Sequence, residues 1–375
     1  MPERAILTGF ADSADFDDTE GTLNELGQLA DTAGAQVVAR LLQRKTTPTP
    51  DYFIGRGKVK ELAELATKSQ ADLIIFNNEL SPLQFRNLER AVGVKVIDRT
   101  QLILDIFAMR AHSGEGKIQV ELAQLEYLLP RIVGKGIELS RLGGGIGTRG
   151  PGETKLEVDR RRIRSHISSL KNKLKKVESA RKTQKKRREK SGVPIIAIVG
   201  YTNAGKTTLF NAIAREHAFA EDKLFATLDP LARRFFLPKT GIAMLVDTVG
   251  FIRKLPVKLV EAFKSTLEEV NYAHLLLHVV DASHPECKAQ ISEVSKVIAM
   301  LGAEKTPIIT AINKIDKLHA HHTTDLLRIQ NEPAVEVSAL RGTNLNELKS
   351  MVDETLALYK HFQRTKDYPR EAVLS

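Results

Sequence analysis

Residues 200–208 read GYTNAGKTT, and Gly200, Gly205, Lys206 and Thr207 satisfy the spacing G-x-x-x-x-G-K-[ST]. Between a strand and a helix, such a run turns backbone N–H groups toward phosphate oxygens, carries a lysine to the β and γ oxygens and offers a hydroxyl to Mg²⁺. The expected cradle is Gly200, Tyr201, Thr202, Asn203, Ala204, Gly205, Lys206, Thr207 and Thr208, with Lys206 in a catalytic role and Thr207 on the metal. DTVG follows an apolar run: Asp247 is suited to hold a magnesium-bound water, and the Gly250 amide to meet a γ-phosphate, with Thr248 and Val249 between them. NKID comprises Asn313, Lys314, Ile315 and Asp316. A carboxylate there accepts from guanine N1 and its exocyclic amine, which adenine cannot supply. VSAL then brings Ser338, Ala339 and Leu340 to close over the base. Together the four runs specify GTP.

A GTP switch also needs a group that senses the γ-phosphate and its magnesium ion. Thr227, in DKLFATLDP, is the only threonine from Leu209 to Lys239, so its hydroxyl is assigned to Mg²⁺ and to catalysis. Phe225, Ala226, Leu228 and Asp229 share that loop and complete the expected site. Many GTPases carry a glutamine after the DxxG run to orient the attacking water, but here Phe251 follows Gly250. A phenyl ring cannot do this, so slow intrinsic hydrolysis is expected. Arg233 and Arg234 stand after the switch loop, where basic residues are more often solvated than catalytic, and they are left out of the site.

The elements that must position these residues follow from periodicity. To about residue 112, strand-like AQVVAR, ADLIIFNN and VKVID alternate with helical patterns, which predicts a small α/β subdomain. Over 113–190, Ile118, Leu122, Leu125, Leu129 and Ile132 form one heptad-like stripe, and Ile163, Ile167, Leu170, Leu174 and Val177 a second. Two narrow seams joined by a glycine loop predict an antiparallel helical hairpin, interrupted or kinked at Pro130. Its second helix, about 38 residues, would reach ~57 Å at about 1.5 Å per residue. From 191 to 360, apolar strands alternate with helix-length segments, as in a doubly wound, mainly parallel sheet. Residues 361–375 are polar and are expected to fray.

Composition narrows the function. The chain carries a net charge of +10, yet residues 153–190 alone hold sixteen Lys and Arg against five Asp and Glu. All the basicity therefore lies on the expected hairpin, the footprint of a polyanion such as RNA. With one cysteine, Cys287, neither an internal disulfide nor a thiolate metal cage can form. The apolar runs are too short to span a bilayer and the start resembles no signal peptide, so a cytoplasmic chain without membrane insertion is expected. His319, His321 and His322 read as a polar loop, because no carboxylate stands at ligand spacing.

Two other glycine clusters compete for a nucleotide. Gly145, Gly147 and Gly150, in LGGGIGTRGPGE, match G-x-G-x-x-G, but no strand precedes them and no acid follows at ribose distance. They read as the hairpin's tip, with Arg149 on it. Gly55, Gly57 and Lys58 in FIGRGKVKEL read as a turn before a surface helix; a second nucleotide site there would instead suit an RNA-modifying or helicase-like enzyme. A coiled coil whose dimerisation GTP controls is the other alternative.

The runs RLGGGIGTRGPGETKLEVDRRRI, GYTNAGKTTLFN, DKLFATLDP and DTVGFIRKLP, in that order, resemble the HflX family of ribosome-associated GTPases, in the translation-factor-related class. The resemblance spans essentially the whole chain. It implies an α/β subdomain and helical hairpin joined to a GTPase domain, a protein that is monomeric off the ribosome, and binding to the large ribosomal subunit and its RNA through 113–190. It implies a role in dissociating stalled or idle ribosomes or in ribosome biogenesis, with the tip reaching rRNA near the peptidyl-transferase centre and the ribosome stimulating hydrolysis. Asn203 resembles the residue that holds K⁺ in some relatives. Two departures stand out: TLDPLARR replaces the common TLDPTTR, and no room remains after His361 for the further C-terminal domain many members carry.

Overall fold

The computed structural model describes residues 2–11, 16–44, 47–132, 155–214, 224–225, 231–253, 256, 259, 269–318 and 333–365. The chain divides into two compact units, Met1–Val177 and Glu178–Ser375. Thr227 with Ala226, Leu228 and Asp229, the glycine loop 133–154, the histidines at 319–322 and the final ten residues, 366–375, lie outside the described residues.

The first unit opens with β1 (Arg4–Ala11), α1 (Phe16–Thr32), β2 (Gln36–Arg44), α2 (Arg56–Ser69), β3 (Leu73–Phe76), α3 (Pro82–Val92), β4 (Lys95–Asp98) and α4 (Arg99–Arg110). The strands form one sheet in the order β2-β1-β3-β4, parallel throughout. An inner strand, β1, went unpredicted: RAILTGFA is buried on both faces and so shows no alternation. Local signals place the helices. Ser81 starts α3 with a full capping box, its hydroxyl accepting from Gln84 N–H and Gln84 Oε1 accepting from Ser81 N–H, and Pro82 takes the first turn, where no N–H is needed. Gly93, at φ 73°, ends it.

The hairpin forms as the stripes foretold. α5 (Gly114–Ile132) and α6 (Lys155–Ser191) bury Leu122, Ile167 and Leu170 together, with Ile118, Leu125, Leu129, Ile163 and Leu174 packed around them. Both seams thus face each other within one chain, which leaves neither stripe for a dimerising coiled coil. Contrary to expectation, Pro130 does not interrupt α5, which runs on to Ile132, although without an N–H it cannot donate to the Glu126 carbonyl one turn earlier. His166–Glu121 (2.9 Å) and Lys171–Glu126 (2.7 Å) flank the seam.

One carboxylate ties α5 to the sheet. Asp98, 0% exposed, caps α4 by accepting from Gln101 N–H (3.0 Å), and also accepts from Leu80 N–H (3.2 Å), Tyr127 Oη (2.6 Å) and Arg131 Nη2 (3.0 Å). Arg131 lies over the Tyr127 ring, 3.4 Å from its centroid. Burial and the neighbouring Asp98 carboxylate push the Tyr127 phenol well up, so it remains a donor.

The second unit contains β5 (Ile195–Gly200), α7 (Lys206–Ala214), β6 (Leu231–Leu237), β7 (Gly241–Asp247), β8 (Leu275–Asp281), α8 (Cys287–Met300), β9 (Ile308–Asn313), β10 (Ala334–Glu336) and α9 (Leu345–Thr365). Their sheet runs β10-β9-β8-β5-β7-β6. All pairings are parallel except β6 with β7, an antiparallel hairpin at the edge. β6 was not foreseen, because adjacent Arg233 and Arg234 break the apolar alternation in LARRFFL, a pattern that edge strands tolerate. α9 continues to Thr365, beyond the expected start of the tail at 361.

Replacing Asp98 by Ala leaves Arg131 buried without its anion, and such breaks cost roughly 3–5 kcal/mol. Amide hydrogen exchange over α4 and α5 should report that loss as faster opening, while α7 and α8 keep wild-type protection.

Candidate active site

The second unit's core sets the geometry. Ile196, Ala197, Ile198 and Val199 are fully buried in β5, as are Leu275, Leu276 and Leu277 in β8. Because β5, β7, β8 and β9 run parallel, the loops that follow them emerge at one edge, where open α/β sheets take ligands.

Glycine is required in the loop after β5. A side chain at Gly200 would collide with the Val279 carbonyl, and one at Gly205, at φ 94°, with the Asn313 amide. Asn203 takes φ 61° and is exposed. Lys206 Nζ donates to the Tyr201 (2.7 Å) and Gly200 (3.2 Å) carbonyls, and burial pushes its pKa down to about 8, against the pull of Asp247. Thr207 Oγ1 donates to Asp247 Oδ2 at 2.8 Å, both residues being buried. Thr208 is half-buried on the first turn of α7. His278 on β8 is buried, and desolvation with the nearby Lys206 charge pushes its pKa down to about 4, so it stays neutral.

Asp247 to Gly250 lies against this loop. Thr248 Oγ1 donates to the Ile198 carbonyl (2.6 Å), and Val249 is buried. Beyond Gly250 the chain bridges to the P-loop: Thr202 N–H donates to Phe251 O (2.7 Å) and Phe251 N–H to Gly200 O (3.1 Å). A Cβ on Gly250 would come within 2.8 Å of Thr202 Cα and Lys206 Nζ. Phe251 is 1% exposed, part of the core rather than a solvent-facing ring. Arg253 N–H donates to Tyr201 Oη (2.8 Å), and Arg253 Nη1 reaches Glu286 at 3.2 Å. Sequence reasoning missed this strap, because Tyr201 and Arg253 carry no motif signal. From the 222–230 loop, Phe225 is described: it is buried, at φ 55°.

The base-recognising runs converge through one amide. Asn313 Nδ2 donates to Ala204 O (2.9 Å) and its Oδ1 accepts from Ala339 N–H (2.9 Å), tying the phosphate loop to the Ser338 loop. Lys314 Nζ pairs with Asp281 at 2.6 Å, a partner at the end of β8 that sequence reasoning did not single out. Ile315 begins a short 3₁₀ turn that carries Asp316. Ser338 Oγ donates to Asp316 Oδ1 at 2.6 Å and holds that carboxyl below its ordinary value, so it is ionised and accepts only. Leu340 is 76% exposed beside it.

The other candidates do not form sites. Gly55 N–H is taken by Gln43 Oε1 (2.7 Å) and Lys58 Nζ by Glu61 (2.9 Å), as expected of a turn before a surface helix. Among the described residues no three His, Cys, Asp or Glu side chains cluster as metal ligands, and no helix is long and apolar enough to cross a membrane.

Fold and site together define a P-loop GTPase, an enzyme that hydrolyses GTP. Residues 195–314 match the family model described as 50S ribosome-binding GTPase, 20–108 the GTP-binding GTPase N-terminal model, and 110–188 the GTP-binding GTPase middle region. The chain belongs to the HflX family of ribosome-associated GTPases. It is 52% identical over 373 residues to the GTPase HflX of Caldanaerobacter subterraneus subsp. tengcongensis, covering 98% of this chain and 85% of that one. To the GTPase HflX of Escherichia coli K12 it is 44% identical over 358 residues, covering 95% and 83%. Among solved structures, an SsGBP–GDP complex matches with TM-score 0.50 at 26% identity, covering 95% of this chain and 99% of that one.

GTP and Mg²⁺ suit the residues present. The loop's glycines let the backbone close against Val279 and Asn313 where any side chain would collide, Thr202 Oγ1 is buried without a hydrogen-bond partner among the described residues, and the Thr207 and Asp247 oxygens are hard donors of the kind magnesium prefers. Phosphate anions favour charged Lys206, so nucleotide binding takes up a proton once the free amine begins to lose its own near pH 8. The affinity for a fluorescent GDP analogue, titrated between about pH 7 and about pH 9, should be level at first and weaken toward about tenfold per unit above about pH 8. In Lys206→Arg, whose charge does not titrate, the profile should be flat.

Proposed function

We propose that this protein is a GTP-controlled ligand of the large ribosomal subunit, holding its RNA through residues 113–190, and that it separates stalled or idle ribosomes or acts in ribosome biogenesis. The observation that carries the reading is the pairing of the P-loop, DTVG and NKID runs at one sheet edge with α6, where seven of the fourteen exposed positions described are Arg or Lys and one, Glu157, is an acid. The family description of residues 195–314 supports the same partner. The functional divisions are residues 1–112, 113–190 and 191–360, and the protein acts as a cytoplasmic monomer off the ribosome.

In this reading Lys206 binds the β and γ oxygens, and Thr207, Thr227 and, through water, Asp247 hold Mg²⁺, which neutralises phosphate charge. The Gly250 amide meets the γ-phosphate once the bridge at Phe251 opens, and Asp316 reads guanine while Ser338, Ala339 and Leu340 border the base. With its ring in the core, Phe251 orients no water, so hydrolysis is slow until the ribosome orders the loops at Thr227 and Gly250. Purified protein turning over as fast alone as with ribosomes would contradict this.

Sucrose-gradient sedimentation tests the main reading. Large subunits should carry the protein with a non-hydrolysable GTP analogue and not with GDP, and whole ribosomes should shift to free subunits; equal association in both nucleotide states overturns it. Shortening 143–151 should weaken ribosome binding and leave GTP affinity within about twofold; the opposite pattern would return that loop to the nucleotide.

Two changes probe the site. Asp316→Asn replaces an acceptor pair by one donor and one acceptor, so GTP should bind at least about a hundredfold more weakly and XTP, whose C2 carbonyl accepts from the new amide, more tightly. Asn203, exposed at the loop's crest, supplies an oxygen for K⁺. Exchanging K⁺ for Na⁺ should then lower turnover, and an unchanged rate removes the cation.

A further inference from the structure

The β6–β7 hairpin carries a surface that the nucleotide site does not use. β6 is the outer strand of its sheet. Phe235, Leu237, Ala243 and Leu245 turn inward to the core, which puts Arg234 and Phe236 on the opposite face of the strand. Pairing sets Ile242 across from Phe236 and Met244 across from Arg234. Phe236 is 70% exposed and Ile242 52%, so a ring and a branched side chain stand together in water. Arg234 is exposed on the same face beside them.

This platform is firmly held and carries one sign of charge. Asp353 on α9 accepts from Lys239 N–H (2.7 Å) and Thr240 N–H (2.8 Å), pinning the turn. Residues 231–246 contain Arg233, Arg234 and Lys239 and no acid. Lys239 pairs with Glu354, and Arg234 brings a positive charge to the outer face. Single-stranded RNA offers a base to stack and phosphates to pair, the combination this surface complements.

We propose that the outer face of β6 and β7 binds an unpaired RNA segment, with one base stacked on Phe236 beside Ile242 and a phosphate at Arg234. The inference rests on the reading of ribosomal RNA as the protein's partner and adds a contact in the GTPase domain. β7 ends at Asp247, five residues and about 17 Å along the strand from Ile242 at about 3.3 Å per residue. A ligand there shares a strand with the magnesium site without touching it.

A short single-stranded oligoribonucleotide containing 4-thiouridine, photocrosslinked to the full-length protein and mapped by mass spectrometry, tests the surface even if ribosomes do not bind. The peptide holding Phe236 should carry the crosslink. In sedimentation with large subunits, Phe236→Ala should weaken binding roughly five- to hundredfold, Phe236→Leu nearly as much, and Phe236→Trp little or not at all. Arg234→Ala should lower the slope of log affinity against log salt by about 1. Basal GTP turnover and melting temperature should be unchanged in all of these. Wild-type tolerance of Phe236→Leu combined with crosslinks only to a ribosomal protein would make this a protein-docking face and overturn the RNA assignment. Crosslinks confined to 155–190, with all Phe236 and Arg234 variants like wild type, would also overturn it and leave the ribosome reading standing. Failure of the wild-type protein to sediment with large subunits removes the ribosome reading, and the oligoribonucleotide crosslink still decides the surface.

Discussion

Parallel pairing of β5 with β7 and β8, and of β8 with β9, is the constraint on which the nucleotide site depends. It brings runs separated by more than a hundred residues of chain to a single edge, each at the end of a strand too apolar to shift. Asn313 then locks two of those loops together, one amide spanning Ala204 and Ala339. A carboxamide suits the position because it donates and accepts at once. Asp in its place would offer only acceptors, and Ala204's carbonyl would lose its donor.

Most polar groups of the active site, Thr202 Oγ1 excepted, are bonded to one another. Lys206 is bonded to carbonyls of its own loop, Thr207 to Asp247, and Thr202 to Phe251. A buried amine and a buried carboxylate need partners in the free protein as much as in the complex. The strap formed by Phe251, Tyr201 and Arg253 ties the segment after Gly250 to the same loop that carries Lys206.

The first unit solves a different problem, that of anchoring a narrow helical pair. Its seam is built from few side chains, since Leu122, Ile167 and Leu170 are its buried members. Such a seam is too small to hold α5 at a defined angle to the sheet. Asp98 provides the missing rigidity by capping α4 and gripping Tyr127 and Arg131 of α5 at the same time. Arg99, paired with Glu25 at 3.2 Å and bonded to Asn77, extends the buried polar layer to α1 and β3.

Much of this was legible in the sequence because it is encoded locally. The P-loop spacing, DTVG and NKID are short runs whose chemistry follows from residue types alone, and the two heptad stripes predicted eight residues of the hairpin seam. The sequence also determined that the positive charge lies on α6. It did not show β1 or β6, whose apolar and charged residues follow no clean period, nor did it show that α9 passes residue 361. Only the tertiary structure decided that Phe251 is a core residue bridged to the P-loop, that Asp98 serves four donors, that Lys314 finds Asp281, and that Phe236 stands in water opposite Ile242. Each of these joins residues distant in sequence or turns on which face of a strand is covered. The physical reason is the same throughout: spacing along the chain fixes what a residue can do, whereas burial and partners are set by what folds against it.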